Sequence, residues 1–154
     1  ESEMYYIEDY KTLSKPFEGH YLHSQVKLRT ENQRVKYYEG DYIVYTNQVQ
    51  NRYIVETLEP QGVDSFFTWN FFDSVLGQKE HFSDYVFEDE AARMVKQDPA
   101  LLARLDEEKK KNSGLLQSPL AQLDWVYRNS KHYEKTHMRY PVGRLISPAK
   151  IELN

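Results

Sequence analysis

The chain has 154 residues, of which 40% are hydrophobic and 29% charged, a balance typical of a folded globular domain and not of a disordered segment. Its net charge is −4, with basic and acidic residues interspersed, which argues against nucleic acid as a partner. The absence of cysteine excludes disulfides, thiolate nucleophiles and thiolate-bound zinc. No apolar run approaches the roughly 20 residues that a membrane-spanning helix needs.

The first part of the chain has the pattern of short β-strands. Over residues 21–29 the even-numbered residues, among them Val26, point to one face and the odd-numbered ones, among them His23, point to the other. Glu39 and Gly40 form a two-residue break between two Tyr/Val/Ile-rich runs, which is a hairpin signal. Strands are predicted at residues 4–7, 21–29, 34–38, 41–45 and 52–58.

The second part has the pattern of helices. Ala91, Met94 and Val95 fall at helical spacing within residues 88–97. Two later helices have local start signals, since a capping side chain is followed at once by proline, which favours the first helical position. These pairs are Asp98 with Pro99 and Ser118 with Pro119.

Strands followed by helices predict an α+β fold. We expect a single domain over residues 1–154. It would begin with an antiparallel β-sheet or sandwich of roughly four or five strands over 1–62. An aromatic-rich segment over 63–87, acting as a linker or as part of the core, would follow. About two or three helices over 88–137 and an irregular tail over 138–154 would complete it.

The five histidines raise the possibility of a zinc site. His20 and His23 are three residues apart, which on a strand places them on opposite faces. Two other pairs are His132 with His137, and His81 with Asp84. The first is poorly spaced for a shared face of a helix, and the second supplies too few ligands for catalytic zinc. We therefore expect no metal and no cofactor in this chain.

No nucleophile elbow, phosphate-binding loop or dinucleotide fingerprint is present. A pair of facing carboxylates, as in a glycosidase, is not visible from spacing alone. The acidic residues nearest the aromatic segments are Asp41, Glu59, Asp64 and Asp73. We assign no catalytic residue.

The 13 tyrosines and two tryptophans allow a binding interpretation, because exposed aromatic rings can stack on sugars or peptide side chains. The possible ligand-facing aromatics are Tyr42, Tyr45, Tyr53 and Trp69. Packing of β-prone residues within a sheet is the simpler explanation for the tyrosines, and a core position is the simpler one for Trp69 and Trp125.

Several blocks of sequence resemble the region that follows the catalytic domain in large zinc carboxypeptidase-like proteins of Bacteroidetes-type bacteria. The most distinctive block ends in Trp69, Asn70, Phe71, Phe72 and Asp73. The matching blocks are residues 5–10, 18–21, 58–61 with 63–73, 82–89, and 122–128 with 139–142. They extend over nearly the whole chain.

The resemblance implies a non-catalytic C-terminal accessory domain that packs on or modulates a peptidase domain earlier in the same polypeptide. Zinc and the substrate cleft would belong to that domain, because the family's His-x-x-Glu pair has no counterpart in this chain. It also implies a periplasmic or secreted protein, whose signal peptide would precede the fragment that begins at Glu1. The alternative is a glycan- or peptide-binding β-rich module, and an independent carboxylate-pair enzyme is a third hypothesis.

Overall fold

The computed structural model describes residues 1–80 and 82–146. It is an α+β structure with a three-stranded antiparallel open sheet and six helices. The elements are β1 (Ser2–Thr12), β2 (His23–Gln33), α1 (Asn51–Leu58), α2 (Asp73–Leu76), α3 (Asp84–Gln97), α4 (Pro99–Lys111), α5 (Ser113–Gln117), α6 (Pro119–Arg128) and β3 (Arg139–Leu145). Each described helix is too short or too polar to cross a lipid bilayer.

The chain forms two compact units. Among the described residues, the sheet unit comprises residues 1–77 and 136–146, and the helical unit comprises residues 78–80 and 82–135. The sheet unit holds all three strands, in the order β2-β1-β3, with α1 and α2. The helical unit holds α3 to α6.

The central strand β1 is buried over four consecutive residues, Met4 to Ile7. Because successive side chains of a strand point to opposite faces, burial of four consecutive residues means that both faces of β1 are covered here. A strand buried on both faces needs no alternation of polar and apolar residues. The core beside the sheet is a cluster of large side chains: Tyr5, Ile7, Phe67, Leu76 and Tyr140. Phe67 comes from the aromatic segment, which therefore contributes to the core of this unit.

Two of the five predicted strands are confirmed as strands, at residues 4–7 within β1 and 23–29 within β2. The hairpin predicted at 34–45 is wrong. Its turn exists, because Asp41 N donates to Tyr38 O at 3.1 Å and Gly40 has φ +96°. Its arms at 34–38 and 41–45 form no described strand. A turn by itself does not stabilise a hairpin, because an isolated pair of strands is only marginally stable without a third strand or a helix to pack against.

Residues 52–58 are helical and not a strand, because they lie in α1. The helix is amphipathic, with half-buried Ile54 and Leu58 at a spacing of four residues. Thr57 Oγ1 donates back to Tyr53 O at 2.8 Å, a side-chain to main-chain bond that threonine makes within helices. A sandwich of four or five strands is not confirmed.

The tail predicted to be irregular contains β3, which pairs antiparallel with β1. Pro141 lies in this strand, and proline is tolerated there because β3 is at the edge of the sheet. Its hydrogen bonds with β1 stabilise this strand, although the sequence of the segment has little periodicity. Residues 147–154 of the predicted tail lie outside the described residues.

The helical unit follows its local start signals. Asp98 accepts hydrogen bonds from Ala100 N and Leu101 N at the start of α4, and Ser118 accepts one from Ala121 N at the start of α6. The short α5, capped by Asn112, was not predicted. The core of the helical unit is one apolar cluster: Phe87, Ala91, Leu101, Leu105, Leu115, Val126 and Tyr127.

Tyr140 provides a first test of the sheet unit's core. Its side chain is fully buried, and its hydroxyl has no hydrogen-bond partner among the described residues. Burial raises the pKa of this phenol. Since a buried hydroxyl without a partner costs free energy, we expect Tyr140→Phe to leave the stability unchanged or to increase it by up to about 1 kcal/mol.

The matched variant is Tyr5→Phe, because the Tyr5 hydroxyl is bonded. It donates to Glu3 Oε1 at 3.0 Å, so its removal should cost about 0.5–1.5 kcal/mol. Urea unfolding of both variants measures the difference. A loss of stability in Tyr140→Phe equal to that in Tyr5→Phe would show that the Tyr140 hydroxyl is satisfied in solution.

Candidate functional site

The four aromatics predicted to face a ligand lie in two different places. Tyr42, Tyr45 and Tyr53 are 94%, 59% and 68% exposed. Trp69 is half-buried in the loop between α1 and α2. No ring contact between Trp69 and any of the three tyrosines occurs within the described part of the chain, so the four side chains do not form one site.

The three tyrosines belong to an exposed stretch that we call the Tyr-rich segment, residues 36–53. Every residue in this range is exposed. Seven of its side chains are large and apolar or aromatic besides Tyr53: Tyr37, Tyr38, Tyr42, Ile43, Val44, Tyr45 and Val49. Only at the ends is the segment close to regular structure, since β2 precedes it and α1 begins within it.

Among the described residues, one side-chain hydrogen bond joins the Tyr-rich segment to the sheet, and another closes a turn within the segment. The Tyr37 hydroxyl is hydrogen-bonded to the buried Ser2 hydroxyl at 2.7 Å. The Asp41 carboxylate accepts from Tyr38 N at 2.8 Å and closes the turn around Gly40. These bonds fix the beginning of the segment and leave the following run of Tyr42, Ile43, Val44 and Tyr45 facing solvent.

Trp69 belongs to a partly exposed aromatic cluster with Phe17, His20 and Phe71. The His20 ring lies 5.6 Å from Trp69 and 5.0 Å from Phe71, with interplanar angles of 81° and 51°. His20 Nδ1 is hydrogen-bonded to Asn70 Oδ1 at 2.9 Å. His20 packs edge to face on Trp69, and the other ring pairs are tilted, as in a small core. These four rings present no coplanar row on which sugar rings could stack.

The period-two pattern over residues 21–29 places His23 on the face of β2 opposite to Val26. In the structure the His23 side chain is buried against Tyr10 and Phe67, and Val26 packs against the same core cluster. The reason is a β-bulge: Gln25 has φ +53°, and the register with β1 shifts there by one residue. An extra residue reverses the alternation of faces, so His23 and Val26 both turn inward.

Both ring nitrogens of His23 are bonded. Nε2 lies 2.8 Å from Asp73 Oδ1, and Nδ1 lies 2.9 Å from Thr12 Oγ1. Because a carboxylate only accepts, a neutral imidazole donates from Nε2 and accepts from the Thr12 hydroxyl at Nδ1. Hydrolytic sites use the order hydroxyl, imidazole, carboxylate, with the acid buried. In this chain the imidazole is buried and Asp73 is half-exposed, the reverse of that arrangement. The hydrogen bond between His23 and Asp73 instead joins β2 to α2.

The four carboxylates selected from the sequence are not brought together as a facing pair by any described contact. Asp41 closes the turn in the Tyr-rich segment, and Asp73 accepts from His23. Glu59 Oε1 accepts from Arg144 Nη2 at 2.6 Å, and Asp64 Oδ1 accepts from Trp69 Nε1 at 3.4 Å. Each is engaged with a different partner.

No group of three or more His, Asp or Glu side chains that could hold a metal ion occurs among residues 1–80 and 82–146. His81, one half of the pair considered with Asp84, lies outside the described residues.

Each unit also has a surface groove. In the sheet unit a cavity of about 510 Å³ lies beside β2, with its walls formed by Leu13, Leu22, Val63 and neighbouring polar residues. In the helical unit a cavity of about 530 Å³ lies among α3, α4 and α6, bordered by the exposed Tyr85 and Leu120. Neither groove has a signal that a single sequence makes visible, since its walls come from distant parts of the chain.

Comparison of the chain with family models, curated proteins and solved structures gave no match.

Proposed function

We propose that the chain is a non-catalytic accessory domain that packs, through its Tyr-rich segment, on a peptidase domain earlier in the same polypeptide. The observation that carries the proposal is the continuous exposure of residues 36–53. Large exposed apolar patches mark interaction sites, and seven large apolar or aromatic side chains of this range besides Tyr53 are exposed.

The composition of the Tyr-rich segment fits a protein interface. Tyrosine is enriched in interface cores because it offers a large apolar ring and a hydroxyl that can remain bonded. The run from Tyr42 to Tyr45 places aromatic rings on both sides of Ile43 and Val44. Charged groups, which interface cores avoid, are missing from this run of four residues.

The resemblance to the region that follows the catalytic domain of zinc carboxypeptidase-like proteins supports the identity of the partner. On this proposal the partner domain supplies the zinc and the cleft, and the parent protein is periplasmic or secreted. The separate engagement of the four candidate carboxylates supports a chain without catalysis of its own, since paired acid chemistry needs two groups facing one substrate.

Hydrogen exchange tests this contact directly. The amides of residues 36–53 are measured in the 154-residue chain and in a longer protein that includes the preceding domain. We expect rapid exchange in the shorter chain and at least 10-fold slower exchange in the longer one, because docking would exclude water from these amides. Equal exchange in the two proteins would contradict the proposal.

A double variant, Tyr42→Ser with Tyr45→Ser, identifies the side chains responsible. Each buried interface tyrosine contributes about 1–2 kcal/mol, so the double variant should restore rapid exchange in the longer protein. Tyr85→Ser is the matched control, because Tyr85 is 82% exposed but lies in the helical unit. It should leave the protection of residues 36–53 unchanged.

The alternative function, a glycan- or peptide-binding β-rich module, receives uneven support. The tilted rings around Trp69 do not favour the stacking that a glycan site needs. A groove beside β2 favours the peptide form of this alternative.

A further inference from the structure

The groove beside β2 lies where that strand is irregular. Its cavity of about 510 Å³ follows residues from Leu22 to Val26, and volumes of this size are typical of ligand sites. The register passes from the pair Lys11 and Ser24 to the pair Asp9 and Lys27. Gln25 and Val26 therefore stand opposite a single residue of β1, which is the arrangement of a β-bulge.

β2 is an edge strand, because the sheet order is β2-β1-β3. Its outer side is held by the α1–α2 loop at two points: His23 N donates to Thr68 O at 2.8 Å, and Gln61 Nε2 donates to Val26 O at 3.0 Å. Ser24 and Gln25 lie between these two bonds and line the groove. The groove is therefore the gap between the edge strand β2 and the α1–α2 loop, which is hydrogen-bonded to β2 on either side of the gap.

The chemistry of the walls is neutral. Leu13, Leu22 and Val63 give aliphatic surface, and hydroxyl and amide side chains give hydrogen-bonding groups. None of the residues that line the groove is Asp, Glu, Lys or Arg, and none is Phe, Tyr or Trp. His23 is among them, but both its ring nitrogens are bonded elsewhere.

The neutral side chains of these walls favour some classes of ligand over others. A phosphate or carboxylate ligand needs cationic partners, and a divalent cation needs carboxylate or carbonyl oxygens in number. A sugar ring needs an aromatic face for stacking, which these walls lack. An uncharged peptide offers aliphatic side chains and main-chain amides, and these match the aliphatic walls, the neutral polar groups and the edge strand.

We propose that the groove binds an uncharged peptide segment in an extended conformation along the outer edge of β2. Strand addition of this type takes its affinity from main-chain hydrogen bonds and its specificity from alternate side chains. The Gln61 amide already donates to Val26 O, where an incoming main-chain N–H would donate, so Gln61 gives way when the peptide enters. Aliphatic side chains of the peptide lie against Leu22 and Val63.

This site is separate from the Tyr-rich segment and does not depend on the proposed interdomain contact. The test uses the 154-residue chain and a capped, uncharged peptide of alternating valine and threonine, with binding followed by NMR titration. Two further probes are the same peptide with lysine in place of valine, and a neutral cello-oligosaccharide.

The decisive variant is Val63→Asp, which places a charge in the wall of the groove. Val63 is 79% exposed, so the variant should fold; Val86→Asp is the matched control, because Val86 is 61% exposed, lies in the helical unit and does not line the groove. We expect saturable binding of the neutral peptide, at least 10-fold weaker binding in Val63→Asp, and a change below twofold in Val86→Asp. The shifted resonances should include Ser24 and Gln25.

Three outcomes would overturn the proposal. The first is the absence of saturable peptide binding at millimolar concentration. The second is equal binding by the two valine variants, which would place the contact elsewhere. The third is binding of the oligosaccharide or the lysine peptide in preference to the neutral one. Exchange of residues 36–53 is measured separately, so failure here leaves the interdomain proposal unaffected.

Discussion

Replacement of Phe67 by alanine should cost the chain about 3–5 kcal/mol of unfolding free energy. The Phe67 side chain is completely buried in the core of the sheet unit. Its ring lies 5.0 Å from that of His23, 5.2 Å from Tyr10 and 6.3 Å from Tyr140, measured between centroids. Removal of the ring would leave a cavity whose walls are themselves rigid aromatic rings and cannot collapse to fill it.

Phe71→Ala is the matched control for this prediction. Both residues are phenylalanines of the same aromatic segment, but Phe71 is 56% exposed and contacts the cluster around His20. We expect a loss below about 1 kcal/mol, because a half-exposed ring loses only part of its transfer free energy. Urea unfolding curves measured on both variants give the comparison. Equal losses would mean that Phe67 is not the central core residue of this unit.

The helices could be predicted because their start signals are local. A capping carboxylate or hydroxyl binds backbone N–H groups two or three residues away, so Asp98 and Ser118 determine where α4 and α6 begin without reference to the rest of the chain. The helical range was therefore recognised from single residues. The short α5 has its cap too, in Asn112, but five residues give no periodicity to detect.

The strands were harder to predict, since β-propensity measures how a side chain fits a half-buried sheet surface and depends on neighbours. The runs at 41–45 and 52–58 contain the same Tyr, Val and Ile residues, yet one is exposed coil and the other is a helix. β3 was missed for the opposite reason. Its partner β1 lies more than a hundred residues earlier in the sequence, and no local signal announces that pairing.

For the candidate site, too, the type of residue could be predicted from the sequence, whereas its exposure or burial could not. Tyr42, Tyr45 and Tyr53 were selected by residue type, and they are exposed. Their exposure itself was not predictable, because the expected sheet would have covered one face of each strand. The burial of His23 depends on the positive φ of Gln25, a conformation that glutamine rarely adopts. A pattern of period two contains no information about such a bulge.

Gly62→Ala should destabilise the chain by at least about 2 kcal/mol, because the new methyl group would overlap backbone atoms. A Cβ at Gly62 would lie 2.3 Å from Glu56 O and 3.2 Å from Glu59 O. Both obstacles are main-chain oxygens at the end of α1 and just after it, so no side chain can move aside. Gly62 O also accepts from Thr68 Oγ1 at 2.9 Å, and the strain would reach the whole α1–α2 loop.

Gly77→Ala is the control for this prediction, since a Cβ there would meet its nearest atom, Asp73 O, at an ordinary 3.8 Å. With φ −58° at Gly77, alanine fits without strain and should leave stability unchanged or raise it by about 0.4–1 kcal/mol. Thermal and urea unfolding separate the two variants, and similar stabilities would contradict the close approach at Gly62. Because the same loop holds Gln61 and Thr68 against β2, a destabilised Gly62→Ala chain should also lose peptide binding in the groove, whereas Gly77→Ala should retain it.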